Sequence, residues 1–162
     1  MALPIACQRA LLPVRPSPCL IRPTHAEMNE PKANSSGRGK GAEPLIYVVD
    51  DEPMLLEMAA VILEPLGYSV KTFRDGESAM EAFTSARPKP ALVITDFQMH
   101  AMNGLALIEG CRRIQPRQKI LLVSGTVDER IYRDSAAKPD RFLAKPYQAK
   151  QLESAVKSLL GD

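Results

Sequence analysis

The sequence predicts an α/β fold with a doubly wound, five-stranded parallel sheet in the order 2-1-3-4-5 and five helices. Three observations support this. Four short apolar runs, "LIYVV", "ALVI", "ILLV" and "FLA", lack polar interruptions, as strands buried on both faces do. Between them lie stretches whose apolar residues recur at helical spacing. The two patterns alternate, and strands joined through helices pair in parallel with helices covering both faces of the sheet.

Taken in order, "LIYVV" (45–49) is the first strand and ends on Asp50 and Asp51. Leu55, Ala59, Ile62 and Leu66 then mark one helical face before Gly67, with Pro65 ending or bending the helix. "YSVKTF" (68–73) alternates polar and apolar residues, as an edge strand does. Ala79, Ala82, Phe83 and Ala86 fall at i, i+3, i+4 and i+7 of a second helix. "ALVI" leads to Asp96, and the chain turns on Gly104 into a third helix carrying Leu107, Cys111 and Ile114. "ILLV" closes on Ser124. The following "SGTVDERIYRDSAAKPD" has a weak helical face cut off by Pro139, and "FLA" closes on Lys145. Leu152, Ala155, Val156, Leu159 and Leu160 form the face of the fifth helix.

Composition limits the functional classes. A chain of 162 residues with 45% apolar and 25% charged residues suits one globular domain. No apolar run approaches the ~20 residues that span a bilayer, so membrane insertion is not expected. The net charge of +2 is uneven: residues 1–43 carry six basic and three acidic groups, which leaves 15 basic and 16 acidic groups beyond them. The near-neutral balance of residues 44–162 argues against a nucleic-acid partner. Cys7 and Cys19 lie in the first segment and only Cys111 lies beyond it, so no disulfide framework is expected and a reducing, cytoplasmic location fits. Residues 1–43 hold six of the 14 prolines and the stretch "NSSGRGKG", without periodicity, and are expected to form a disordered basic extension. Its prolines argue against the amphipathic helix of a transit peptide, and Met28 is an alternative start.

The acids at the strand ends carry the functional reading. In a doubly wound sheet, ligands bind beyond the carboxyl ends of the strands where the strand order reverses, here between strands one and three. Asp50 and Asp51 close the first and Asp96 the third, and neighbouring strands lie ~4.8 Å apart. Three carboxylates gathered there repel one another unless a hard divalent cation such as Mg²⁺ sits among them. Ser124 and Lys145 bring a hydroxyl and an ammonium to the same crevice. A carboxylate nucleophile, a metal, a cation and a hydroxyl donor suit phosphoryl transfer. Any one of these residues alone would be an ordinary cap, turn or surface residue. Together, five polar positions on four strand ends are hard to assign to chance.

Asp50-Asp51, Asp96, Ser124 and Lys145-Pro146, with "TDFQMHAMNG" matching a D-x-x-M-P-x-M-x-G pattern, resemble a response-regulator receiver domain of two-component signalling. The resemblance covers residues 44–162 and is closest to single-domain, chemotaxis-type receivers with a flavodoxin-like fold. It implies that Asp96 is the phosphoacceptor, served by a sensor histidine kinase or a histidine phosphotransfer protein. It implies Mg²⁺ held by the carboxylates of Asp51 and Asp96, by Asp50 largely through water, and by the backbone carbonyl of Gln98. Lys145 would neutralise the phosphoryl oxygens, Ser124 would donate a hydrogen bond to one of them, and Phe142 would be the aromatic switch. The Lys145-Pro146 peptide would be cis. The sequence departs from the pattern at His100, in place of proline, at Asn103, often aspartate, and in residues 126–139.

The expected function is therefore a stand-alone receiver, a signalling protein rather than an enzyme. It would act through protein contacts made by the fifth strand and the helices on either side of it, toward an unidentified downstream protein. A phosphorelay intermediate, a phosphate sink and a pseudo-receiver that binds partners without phosphorylation remain alternatives. A haloacid-dehalogenase-like phosphohydrolase needs D-x-D-x-T after the first strand, where this chain has "DDEPM". A flavodoxin-type cofactor site needs a phosphate-binding loop that this acidic turn does not supply. His25 and His100 have no partners at zinc-ligand spacing.

Overall fold

The unbroken apolar runs and the alternating one all form strands in the computed structural model, which describes residues 43–125 and 138–161. They are β1 (Leu45–Val49), β2 (Ser69–Phe73), β3 (Leu92–Asp96), β4 (Ile120–Ser124) and β5 (Arg141–Ala144). Every pairing is parallel and the order is β2-β1-β3-β4-β5. The described helices are α1 (Pro53–Leu63), α2 (Gly76–Ser85), α3 (Gly104–Ile114) and α4 (Ala149–Leu160), with a 3-10 turn at Glu64–Leu66. Four of the five expected helices are thus present, and the remaining one falls in residues 126–137, outside the described residues. The disordered extension expected over residues 1–43 likewise lies outside them, apart from Glu43.

Strand side chains alternate between the two faces of the sheet, so an unbroken apolar run feeds two cores at once. On one face Tyr47, Val49, Val93, Ile120 and Leu122 pack with Ala79 and Phe83 of α2 and with Leu107, Ile108 and Cys111 of α3. On the other, Ile46, Val48, Leu92, Ile94, Leu121 and Val123 pack with Leu56, Ala59 and Leu63 of α1 and with Leu152, Ala155 and Val156 of α4. Burying each leucine or isoleucine contributes about 1.5–3 kcal/mol, and this holds the helices to the sheet.

The helix starts have local causes. Asp75 caps α2 by accepting from the Ser78 N–H at 2.7 Å, and Asn103 caps α3 by accepting from the Ala106 N–H at 2.9 Å. Pro53 begins α1, where its missing N–H is no loss. Pro65 cannot donate back into that helix, so the chain tightens into the 3-10 turn and stops at Gly67, whose φ of 89° is left-handed. The buried face of α1 is Leu56, Ala59 and Leu63, which corrects the expected face: Leu55 and Ile62 are only partly buried and Leu66 is exposed. Ile114, expected on the inner face of α3, is exposed as well, and Ile108 takes an inner position.

Candidate functional site

The register of the sheet brings the chemistry-bearing residues together. Val49 pairs with Thr95, so Asp50 emerges beside Asp96, and Asp96 pairs with Val123 of β4. Ser124 pairs with Ala144, and the Lys145 N–H donates to the Ser124 carbonyl at 2.8 Å, so Lys145 leaves β5 at the same edge. Asp50, Asp96 and Ser124 are all buried, and Asp51 is partly exposed. One carboxylate oxygen from each of Asp50, Asp51 and Asp96 lies within 4.8 Å of the others.

Lys145 lies between two of the acids, its Nζ 2.8 Å from Asp50 Oδ2 and 3.1 Å from Asp96 Oδ1. Asp50 is held further by the Glu52 N–H, which donates to its Oδ1 at 2.9 Å. Burial is the largest influence on Asp96 and pushes its pKa above the ordinary carboxylate value. The charge and hydrogen bond of Lys145 oppose that rise, and the Asp50 charge adds to it. For Lys145, burial works against the ammonium, but the hydrogen bond and charge of Asp50, followed by those of Asp96, outweigh it and hold the pKa above that of an ordinary lysine.

The loop after β3 is drawn tightly over the site. The Gly104 N–H donates to the Phe97 carbonyl at 3.0 Å, and a Cβ on Gly104 would sit only 2.3 Å from the Asp96 carbonyl oxygen. Only glycine allows α3 to start this close to Asp96. Gln98 lies on the loop, lining a shallow cleft with Asp51, Phe97, Met99, His100 and Asn103. Phe142 is half-buried on β5, against the core on the α2–α3 side. The Lys145-Pro146 peptide is cis, as is Arg87-Pro88, which no sequence signal marked.

Two residues not singled out by sequence reasoning also lie here. His100, a departure from the motif with no partner at zinc-ligand spacing, has its Nδ1 2.9 Å from Asp51 Oδ2. The two are 49 positions apart, beyond the reach of any spacing rule. Tyr147 is half-buried; burial raises the pKa of its phenol most, Lys145 lowers it, and Asp50 and Asp96 raise it further. Cys111 is core, as expected, its thiol pushed up to about 12 by burial.

The donor set fits a hard cation. Three carboxylates converge on one edge, partly open through Asp51, and Mg²⁺ characteristically takes one or two carboxylates together with water and phosphate oxygens. Among the described residues, no helix is long and apolar enough to cross a membrane.

Comparison with known proteins agrees with this geometry. The family model for the response regulator receiver domain matches residues 46–157. The probable transcriptional regulatory protein TcrX of Mycobacterium tuberculosis is 31% identical over 125 residues, covering 76% of this chain and 52% of TcrX. This chain thus matches about half the length of that relative. The structure of the response regulator TrrA from Thermotoga maritima, solved with Mg²⁺ and BeF, is 32% identical with a TM-score of 0.65, covering 72% of this chain and 99% of TrrA. The chemotaxis protein CheY4 of Vibrio cholerae, 24% identical with a TM-score of 0.68, covers 74% of this chain and all of its own, and shares the fold. With the family model spanning both cores and every strand end that bears an acid, the chain belongs to the response regulator receiver domain family.

Proposed function

We propose that this receiver accepts a phosphoryl group on Asp96 from a sensor histidine kinase or histidine phosphotransfer protein, in a Mg²⁺-dependent reaction, and signals through protein contacts. Receiver domains are signalling proteins rather than classical enzymes. They bind Mg²⁺ and interact with kinases or phosphotransfer proteins. The observation that carries the proposal is the buried Asp96 carboxylate, 3.1 Å from the Lys145 ammonium and grouped with two further acids.

Asp51 and Asp96 would hold the ion through carboxylates, Asp50 through water, and Gln98 through its backbone carbonyl. When bound, Mg²⁺ supplies neutralisation of the charge on the phosphoryl oxygens. Asp96 contributes the oxygen that forms the new bond to phosphorus as the donor's phosphorus–nitrogen bond breaks. Lys145 exchanges its contact with the Asp96 carboxylate for a phosphoryl oxygen and keeps Asp50 as its anchor. The Ser124 hydroxyl donates to another phosphoryl oxygen, and Phe142 turns inward as Ser124 moves. The contacts would be made on the side of β5 and α4. Near-neutral charge across residues 44–162 supports a protein rather than a nucleic-acid partner, and the single cysteine of that span, Cys111, supports a reducing cytoplasm. The receiver is assigned to residues 44–162.

The test is intact-mass measurement of the full chain after incubation with acetyl phosphate, with and without Mg²⁺, beside Asp96→Asn. One added phosphoryl group that requires both Mg²⁺ and Asp96 is the expected result. No adduct while metal still binds would favour a pseudo-receiver, and labelling of Asp96→Asn at an equal rate would overturn the assignment of the phosphoacceptor.

A further inference from the structure

Three acids meet at the sheet edge, but Lys145 serves only two of them. Its ammonium is shared between Asp50 and Asp96 at 2.8 and 3.1 Å. Asp51 has a different partner: His100 Nδ1 lies 2.9 Å from its Oδ2. An ionised carboxylate only accepts, so the ring nitrogen is the donor. His100 approaches from outside. Its side chain is 94% exposed and that of Asp51 32%, and the group of ligand atoms within 4.8 Å comprises the three acids without His100. The imidazole therefore grips an acid of the cluster without being one of its ligands.

We propose that His100 is a positioning residue that latches Asp51 in the metal-free site and releases it when a divalent cation binds. The affinity for Mg²⁺ is then lower than the three acids alone would confer. This inference rests on the reading of the acidic cluster as a Mg²⁺ site. The imidazole N–H and the cation both draw on the Asp51 carboxylate, and the positive edge of the N–H faces an incoming cation at short range. Binding free energy is reduced by whatever the hydrogen bond contributes, as for any contact that only the unliganded state makes. The loop around His100 is built for a local release. It is closed at its base by the Gly104 N–H on the Phe97 carbonyl at 3.0 Å, and Asn103 is fixed as the cap of α3 at 2.9 Å. Movement of His100 is thus confined to residues 98–102.

The experiment titrates Mg²⁺ into the full chain as wild type, His100→Ala and His100→Gln at one fixed pH and ionic strength. Calorimetry gives the affinity and backbone amide shifts follow the loop. His100→Ala should bind Mg²⁺ about three- to tenfold more tightly, the fold-change that matches a net hydrogen bond. His100→Gln, which keeps a donor, should stay near wild type, and the amides of residues 98–102 should shift more on saturation in wild type than in His100→Ala. Equal affinity in wild type and His100→Ala, or weaker binding in His100→Ala, would overturn the latch while leaving the Mg²⁺ site intact. Saturable binding absent from all three would overturn the metal site itself and the latch with it. Because His100 is solvent-exposed, either substitution leaves the cores untouched.

Discussion

Replacing Lys145 by methionine keeps the unbranched stem and removes the charge, leaving two carboxylates side by side without their shared partner. The side chains of Asp50 and Asp96 are each only 7% exposed and that of Lys145 is 23% exposed. Deleting one member of a buried ion pair costs about 3–5 kcal/mol, and the partly open mouth of this site puts the expected loss near the lower end, about 3 kcal/mol. Urea denaturation at neutral pH with the metal chelated measures it. The pH dependence provides a second, signed check. Burial already holds the pKa of Asp96 above its ordinary value against the pull of Lys145, so removing Lys145 raises it further. A carboxyl group with a raised folded pKa contributes stability that is complete below its unfolded value of about 3.9 and is lost as pH rises through the folded value. The deficit of Lys145→Met should therefore shrink on acidification from about pH 7 toward pH 4. At the alkaline end, the raised pKa of Lys145 contributes stability that is complete below about 10.4 and lost as pH rises through the folded value, a loss found in wild type only. A neutral-pH deficit below about 1 kcal/mol, or one unchanged on acidification, would refute the claim that Lys145 is what makes this pair of acids tolerable.

Two substitutions probe the scaffold. Gly104→Ala drives a methyl group to 2.3 Å from the Asp96 carbonyl and 3.1 Å from Leu122 Cδ1, and since the nearest atom is backbone it cannot swing aside. About 1–3 kcal/mol of stability should be lost in thermal melts, with slower labelling by acetyl phosphate, because the displaced atom belongs to the phosphoacceptor residue itself. Leu121→Ala, in a fully buried position of the core shared by α1 and α4, should cost about 2–5 kcal/mol in urea denaturation while the folded fraction still labels.

The sheet and its acidic edge were legible because they obey short-range rules. A strand buried on both faces must be apolar throughout, and an acid ending such a run stands out, so the sequence alone groups Asp50, Asp51 and Asp96. The face of α1 was not legible for the opposite reason. "MLLEMAAVIL" is apolar nearly all round, so spacing alone does not choose between the Leu55 face and the Leu56 face. Packing against Ile46, Val48 and Tyr68 makes the choice. Ile114 fits the helical period, but it is the last residue of α3 and is exposed, since a period alone does not say where the helix stops being covered. The contact between His100 and Asp51 joins two loops through tertiary structure alone, and the cis state of Arg87-Pro88 depends on its surroundings rather than on the dipeptide.

The burial of the strands is graded across the sheet. Every residue of β3 and β4 is buried, whereas β5 is exposed at both ends and only partly covered between them. Yet it is β5 that delivers Lys145 to the acids at the end of β1 and β3. The fully buried middle of the sheet thus holds the reacting group, and a partly exposed edge strand supplies the charge that answers it. A change in the grip of Lys145 on Asp96 is therefore expected to register first at β5, where Phe142 is half-buried, rather than in the fully buried β3 and β4.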